Sequence, residues 1–225
     1  MKRARINFKE AAWLLALLML LLFLWDTPPV YPLRILVVFF HELSHAIMTW
    51  LTGGEVVQLA ITPAEGGFCV SSGGSRFLIT SAGYLGSLLW GGALLLLSTR
   101  HGKLALVTAT LGLLLFGASL LFVRPLAGFG FFFGLAVGLA LIAAAWWLPA
   151  QANAAILKIV GLTSCCYALF DIKEDLFGIP NAPTDATLLA ELTGIPALLW
   201  GLLWAAVAVP AALGFLWYAV RRNSG

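Results

Sequence analysis

The chain has 225 residues, of which 61% are hydrophobic and only 10% are charged, and its mean hydropathy is +0.98. Soluble domains carry about 25% charged residues and about 45–50% apolar ones, so this composition excludes a soluble globular protein and predicts a polytopic membrane protein. The net charge of +3 comes partly from four basic residues near the N-terminus, which are Lys2, Arg3, Arg5 and Lys9. We interpret this cluster as a cytoplasmic anchor and not as a nucleic-acid-binding patch.

The first apolar segment runs from about Phe8 to Trp25 and is stopped by Asp26, Pro28 and Pro29. Basic residues followed by an apolar run are also typical of a secretory signal. The Asp-Thr-Pro-Pro sequence offers no small-residue cleavage site, so we expect an uncleaved membrane span.

A second helix is predicted from about Leu33 to Leu51, because Pro32 suits its first turn and a Thr-Gly-Gly sequence follows its end. At 1.5 Å per residue, a helix of this length reaches deep into a bilayer.

The sequence His41-Glu42-Leu43-Ser44-His45 lies near the middle of this helix. Histidines four residues apart lie on one helix face and can share one Zn²⁺, and Glu42 can act as a general base toward a water on the metal. Ionisable side chains at membrane depth are costly, and a bound metal offsets that cost. The alternative is a packed interfacial helix that carries two unrelated histidines.

The pattern changes between Glu55 and Ser75, where apolar residues alternate with other residues on both sides of a Pro-Ala-Glu-Gly-Gly sequence. This alternation predicts a β-hairpin or two short strands. The alternative is an ordinary glycine-rich loop. If the hairpin forms, the exposed edge of the Val57–Val70 segment can bind an unwound substrate by β-addition.

Five further apolar stretches follow, at Phe77–Ser98, Leu104–Val123, Ala127–Leu148, Ala152–Phe170 and Ile195–Val220. Seven spans would place the termini on opposite sides of the membrane, whereas basic residues at both ends favour the same side, so one segment is expected to be re-entrant or interfacial. We predict an all-α polytopic membrane protein with about six or seven transmembrane helices and a short β-hairpin-like insertion. With no internal repeat or linker, residues 1–225 are predicted to form a single membrane domain.

A catalytic zinc usually has three protein ligands, and the two histidines of the motif supply only two. The remaining histidine, His101, lies in a polar turn that we expect to be solvated, and the three cysteines lack ligand-like spacing. Three carboxylates are candidates for the third ligand. Asp171 and Asp175 lie at the end of a predicted apolar helix, and their alternative role is that of solvated residues at a helix end. Asp185 precedes the next predicted helix, and its alternative role is that of the N-cap.

The chain resembles the site-2 protease group of intramembrane zinc metallopeptidases, and it is most similar to the divergent Peptidase M50B-like branch. The resemblance covers about Pro32 to Trp204 and rests on the HELSH sequence, the glycine-rich β-like segment and the sequence from Ser81 to Ser87. Tyr84 stands where the wider group has Pro, and the Leu-Asp-Gly sequence of that group is absent. The Ser/Thr-Asp-Ala element of the branch corresponds to Thr184-Asp185-Ala186, and its Asp-rich helix end to Asp171 to Asp175.

This resemblance implies a zinc endopeptidase that lies in the lipid bilayer and cleaves a transmembrane protein substrate. It implies Glu42 as the catalytic base and His41, His45 and Asp185 as the metal ligands, with Asp171 and then Asp175 as alternatives to Asp185.

Two other functions remain open on the sequence alone. One is a non-proteolytic zinc-binding membrane protein with a structural or partner-binding role, and the other is a transporter, which the lack of paired repeats disfavours. Short loops and an N-terminus without transit-peptide features favour a bacterial-type plasma membrane. Small residues of the third span are expected to let it pack closely on the helix that carries the histidines; they are Gly83, Gly86, Ser87, Gly91 and Gly92.

Overall fold

A computed structural model of the chain describes residues 6–100, 102–177 and 183–222, without the side chains of residues 174–177 and 222. The basic residues Lys2, Arg3 and Arg5 and the predicted solvated His101 therefore lie outside the described residues. The described part consists of α1 (Phe8–Phe23), α2 (Tyr31–Leu51), β1 (Glu55–Ile61), β2 (Gly67–Ser72), α3 (Arg76–Leu97), α4 (Leu104–Phe122), α5 (Phe129–Trp147), α6 (Ala150–Phe177), α7 (Asp185–Thr193) and α8 (Ala197–Arg222).

Five of these helices are long and apolar enough to cross a membrane, namely α3, α4, α5, α6 and α8. Helix α1 has 16 residues, and α2, with 21 residues, carries the polar side chains of the histidine motif, which lower its hydropathy. The predicted all-α polytopic membrane fold with a small β insertion is confirmed, with five such helices among the described residues where about six or seven were predicted. The chain is an integral membrane protein.

The predicted hairpin is also confirmed. Strands β1 and β2 pair antiparallel with Ile61 opposite Gly67, and a β-bulge lies between Val56 and Gln58. The outer edge of β1 contacts the end of α4, because Arg124 N donates a hydrogen bond of 2.9 Å to Leu59 O. Among the described residues β2 pairs with β1 alone, so its second edge has no strand partner there.

Helix α2 lies at the centre of the fold, between the hairpin and helices α3 and α6, and its apolar residues form much of one buried core. The glycines of α3 allow close packing, but not all of it is against α2. Gly83 and Gly86 lie against His41 and Ser44 of α2. Two others approach different helices, since Gly91 lies against Cys165 of α6 and Gly92 against Phe215 of α8. Ser87 also faces α6, and its carbonyl accepts a hydrogen bond of 2.7 Å from Ser164.

Helix α1 is attached to α6 by an ion pair in which Lys158 Nζ lies 2.5 Å from Glu10 Oε1. Both side chains are mostly buried, with exposures of 11% and 13%. Around this pair, Leu14, Leu17 and Leu21 of α1 pack into the second buried core.

Candidate metal centre

Two histidines of α2 and the first residue of α7 converge on one point. The Asp185 Oδ2 atom lies 3.2 Å from His41 Nε2 and 3.4 Å from His45 Nε2. Each residue offers one donor atom, and the three atoms lie within 4.8 Å of one another. The i, i+4 spacing predicted that the two imidazoles share a helix face, and the structure adds a carboxylate at the same place.

Asp185 is available for this contact because Thr184 provides the N-cap of α7. The Thr184 hydroxyl accepts a hydrogen bond of 3.3 Å from Thr187 N, and the Thr187 hydroxyl accepts one of 2.8 Å from Thr184 N. This reciprocal pair satisfies two backbone donors at the helix start. The alternative interpretation of Asp185 as an N-cap is therefore replaced by a cap at Thr184, with Asp185 inside the first turn.

The second ring nitrogen of each histidine faces an oxygen. His45 Nδ1 lies 2.7 Å from the Ile79 carbonyl, and His41 Nδ1 lies 3.5 Å from Asp171 Oδ2. A proton on Nδ1 that is directed at oxygen leaves the Nε2 lone pair for a metal, and such outer partners are typical of metal-binding histidines. Both imidazoles are thus oriented with Nε2 toward Asp185.

Asp171 contacts the site differently from Asp185. Helix α6 continues to Phe177, beyond the predicted end near Phe170, so Asp171 lies within the helix and not at a solvated end. Its carboxylate faces the Nδ1 atom of His41, on the opposite side of the ring from Asp185. The side chain of Asp175, the other predicted alternative, lies outside the described residues.

Two of the three donor-to-donor distances fit a zinc ion. Bonds of about 2.0–2.1 Å in a tetrahedral site separate the ligand atoms by about 3.3 Å, and the two distances from Asp185 to the histidines are close to this value. Asp185 Oδ2 is buried and, although it lies close to both Nε2 atoms, forms no hydrogen bond of good geometry with the described residues. A side chain at Gly83 would overlap His41 Nε2 and Asp185 Oδ2, so glycine at this position keeps the space beside the donors open.

Glu42 is not one of the three converging residues, although it follows His41 directly. It is buried, and it lies under the first residue of β2, where a Cβ atom built on Gly67 would be 2.7 Å from Glu42 Cγ. Glu42 is thus a buried carboxylate that lies beside the three converging residues but outside their group.

A cavity of about 890 Å³ connects these groups. One wall carries His41, Glu42, His45 and Asp185, and strand β2 forms another. The cavity is large enough for a segment of extended chain, and both Glu42 and the three converging residues line it.

Two contacts of the site were not predicted from the sequence. The Tyr84 ring packs edge-to-face on His41 with 5.2 Å between ring centroids, and Gly67 approaches Glu42. Tyr84 had a signal, since it departs from the Pro of the wider group, whereas the position of Gly67 follows from the docking of the hairpin on α2. The cysteines Cys165 and Cys166 are buried in α6, away from the converging residues.

A family model described as Peptidase M50B-like matches residues 14–217. The chain belongs to the Peptidase M50B-like family. The match extends from α1 to α8 and includes all the residues that converge at the site. Membership in this peptidase family agrees with a membrane protein that has a His-His-Asp group able to hold a metal ion. Comparison with curated proteins and comparison with solved structures both find no match.

Proposed function

We propose that this Peptidase M50B-like protein is an intramembrane zinc endopeptidase that hydrolyses a peptide bond in a transmembrane protein substrate. One observation carries the proposal: the His41, His45 and Asp185 donors converge beside buried Glu42 in a cavity that strand β2 also lines. A structural zinc site is closed by four protein ligands, whereas three ligands leave a position for water or substrate.

His41 and His45 would hold the zinc through Nε2 and Asp185 through Oδ2. Bound there, zinc would act as a Lewis acid on the scissile carbonyl and lower the pKa of a water molecule. The Ile79 carbonyl, 2.7 Å from His45 Nδ1, and Asp171, 3.5 Å from His41 Nδ1, would help to orient the two imidazoles from their Nδ1 sides.

Glu42 would be the general base and then the general acid. Its carboxylate would take a proton from the attacking water and deliver it to the amide nitrogen, which would then leave as a neutral amine when the C–N bond breaks. Gly67 lies against Glu42 and confines the carboxylate on the side of the hairpin. A base that is fixed in this way needs little reorganisation at the moment of reaction.

Strand β2 would hold the substrate. A transmembrane helix hides its peptide groups in internal hydrogen bonds and must unwind before hydrolysis. An unwound segment that adds to β2 as a third strand would have its backbone groups satisfied again, at a place that borders Glu42 and the histidines. This geometry supports one substrate class, a protein segment that can leave its helical conformation within or near the bilayer.

We propose a bacterial-type plasma membrane as the location of the protein. The proposed function is tested with the purified protein in lipid nanodiscs. Wild type and Glu42→Gln are incubated with single-span membrane proteins, and cleavage products are located by mass spectrometry. We expect cleavage within or next to the span by wild type, none by Glu42→Gln, and equal zinc content in the two proteins. Zinc-loaded wild type that cleaves no membrane substrate would instead favour a non-proteolytic zinc-binding role.

A further inference from the structure

Two contacts join the first turns of α2 to the turn of the hairpin. The Tyr31 hydroxyl donates a hydrogen bond of 2.7 Å to the Pro63 carbonyl, and Arg34 forms an ion pair of 2.8 Å with Glu65. Tyr31 and Arg34 lie three residues apart and therefore on the same helix face. Glu42 follows on the same helix, at about 12 Å from Arg34 for a rise of 1.5 Å per residue.

Arg34 has a second carboxylate partner, Asp26, at 3.1 Å. The Asp26 side chain is 91% exposed, whereas those of Arg34 and Glu65 are 15% and 25% exposed. Water and salt screen an ion pair with an exposed partner strongly and a largely buried pair much less. We therefore expect the pair with Glu65 to contribute most of the attachment, and Asp26 offers a matched control.

Only one residue separates Glu65 from Gly67, the residue that lies against Glu42. Glu65 has a φ of 60°, which is uncommon for a residue other than glycine, and Thr62 N closes the turn with a hydrogen bond of 2.8 Å to Gly66 O. A short and hydrogen-bonded segment thus connects the ion pair to the start of β2. A displacement of Glu65 would be transmitted directly to Gly67.

The opposite end of the hairpin is fixed independently. Its strands connect to α2 and α3 there, and Ser75 N donates a hydrogen bond of 3.0 Å to the Thr52 hydroxyl. Loss of the ion pair would consequently loosen only the turn end of the hairpin, which is the end beside Glu42 and which the Tyr31 hydrogen bond would still hold.

We propose that Arg34 is a positioning residue of the peptidase: its ion pair with Glu65 holds β2 at the distance from Glu42 at which a substrate strand presents its peptide bond to the base. The inference rests on the proposed function, because it assigns Arg34 a role in presenting the substrate. The hairpin position that it describes can be measured without any substrate.

Cys69 of β2 reports on that position. It is half-buried and lines the same cavity as Glu42. Burial, together with the nearby Glu42 carboxylate, raises the pKa of the Cys69 thiol to about 12. If the hairpin moves away from α2, the thiol becomes more accessible and its pKa falls, and both changes accelerate alkylation because the thiolate is the reactive form.

The experiment compares wild type, Arg34→Gln, Arg34→Lys and Asp26→Asn as full-length proteins in nanodiscs. Alkylation of Cys69 by N-ethylmaleimide is followed by peptide mass spectrometry, which separates it from Cys165 and Cys166, and zinc content and cleavage kinetics are measured on the same samples. For Arg34→Gln we expect about tenfold faster alkylation and about tenfold lower kcat/KM with unchanged zinc content, the effect of losing one charge-assisted contact. Arg34→Lys keeps the charge and should stay within about threefold of wild type, and Asp26→Asn should match wild type.

Unchanged alkylation and kcat/KM in Arg34→Gln would overturn the inference, as would an equal effect of Asp26→Asn. If Arg34→Gln loses zinc, the same measurements on Glu65→Gln decide whether the ion pair positions the hairpin. This variant breaks the same ion pair by a change in the hairpin turn and leaves helix α2 unaltered. Should wild type cleave no substrate, the proposed function fails, and the alkylation rates alone decide whether Arg34 positions the hairpin.

Discussion

Replacement of Gly83 by Ala places one methyl group in the metal centre. A Cβ at this position would overlap His41 Nε2 and Asp185 Oδ2. Because Gly83 is in the middle of α3, which packs between α2 and α6, its backbone has little freedom to retreat. We expect one donor, either the imidazole or the carboxylate, to be displaced from the common point.

The expected loss of zinc affinity in Gly83→Ala is the binding free energy that one donor contributes. Structural zinc sites with four ligands bind with about 10–16 kcal/mol, or about 2.5–4 kcal/mol for each ligand when divided evenly. At 1.4 kcal/mol for each factor of ten, Gly83→Ala should weaken zinc binding by about 100- to 1,000-fold. Proteolytic activity should fall at least as much at limiting zinc.

Zinc affinity is measured by competition with a chromogenic chelator, and Gly86→Ala is the control. Gly86 lies on the same helix, and a Cβ there would overlap Ser44 of α2, which is not one of the converging residues. Both variants strain the packing of α3 on α2, but only the first disturbs the donors. Equal zinc affinities for the two variants would refute the account of Gly83, and an unaltered affinity for Gly83→Ala would show that the metal lies elsewhere.

Further substitutions test the surrounding contacts. Asp185→Asn should weaken zinc binding strongly in the same chelator competition. Asp171→Asn alters only a partner of His41 and should weaken zinc binding by about 10–100-fold. A larger loss for Asp171→Asn than for Asp185→Asn would make Asp171 the third ligand. Glu10→Gln should lower the free energy of unfolding by about 3–5 kcal/mol, because it leaves the Lys158 ammonium unpaired in a largely buried place. A double variant with Leu at position 10 and Met at position 158 should recover most of that stability in denaturant titrations. A Glu10→Gln protein as stable as wild type would contradict the stabilising role of the ion pair.

The local parts of the site were predictable because they depend on short-range geometry. The i, i+4 spacing of His41 and His45 fixes their common face whatever the fold around them. Alternation of apolar residues on both sides of a turn predicted the hairpin in the same way. The sequence predicted the helix α7 but left the N-cap open between a ligand role and a cap role for Asp185. The cap is Thr184, and Thr187 takes the place that Glu or Gln has in the usual capping box.

The contacts between distant segments were not predictable from the sequence. Helix α6 has no distinct apolar stripe, so its periodicity does not show which face Asp171 shares with His41. The ion pair of Arg34 with Glu65 joins a helix start to a turn, and neither residue has a sequence signal beyond its charge. Gly83 was predicted as a small residue for helix packing, and its place beside the donor atoms follows only from the crossing of α3 and α2.

X-ray absorption spectroscopy of zinc in the purified protein tests the metal centre most directly. The account predicts one zinc for each chain, with two imidazole nitrogens and oxygen ligands at about 2.0–2.2 Å, and loss of the imidazole signal when His41 and His45 are both replaced by Ala. The absence of zinc, a shell that contains sulfur at about 2.3 Å, or an unchanged spectrum in the double variant would contradict it.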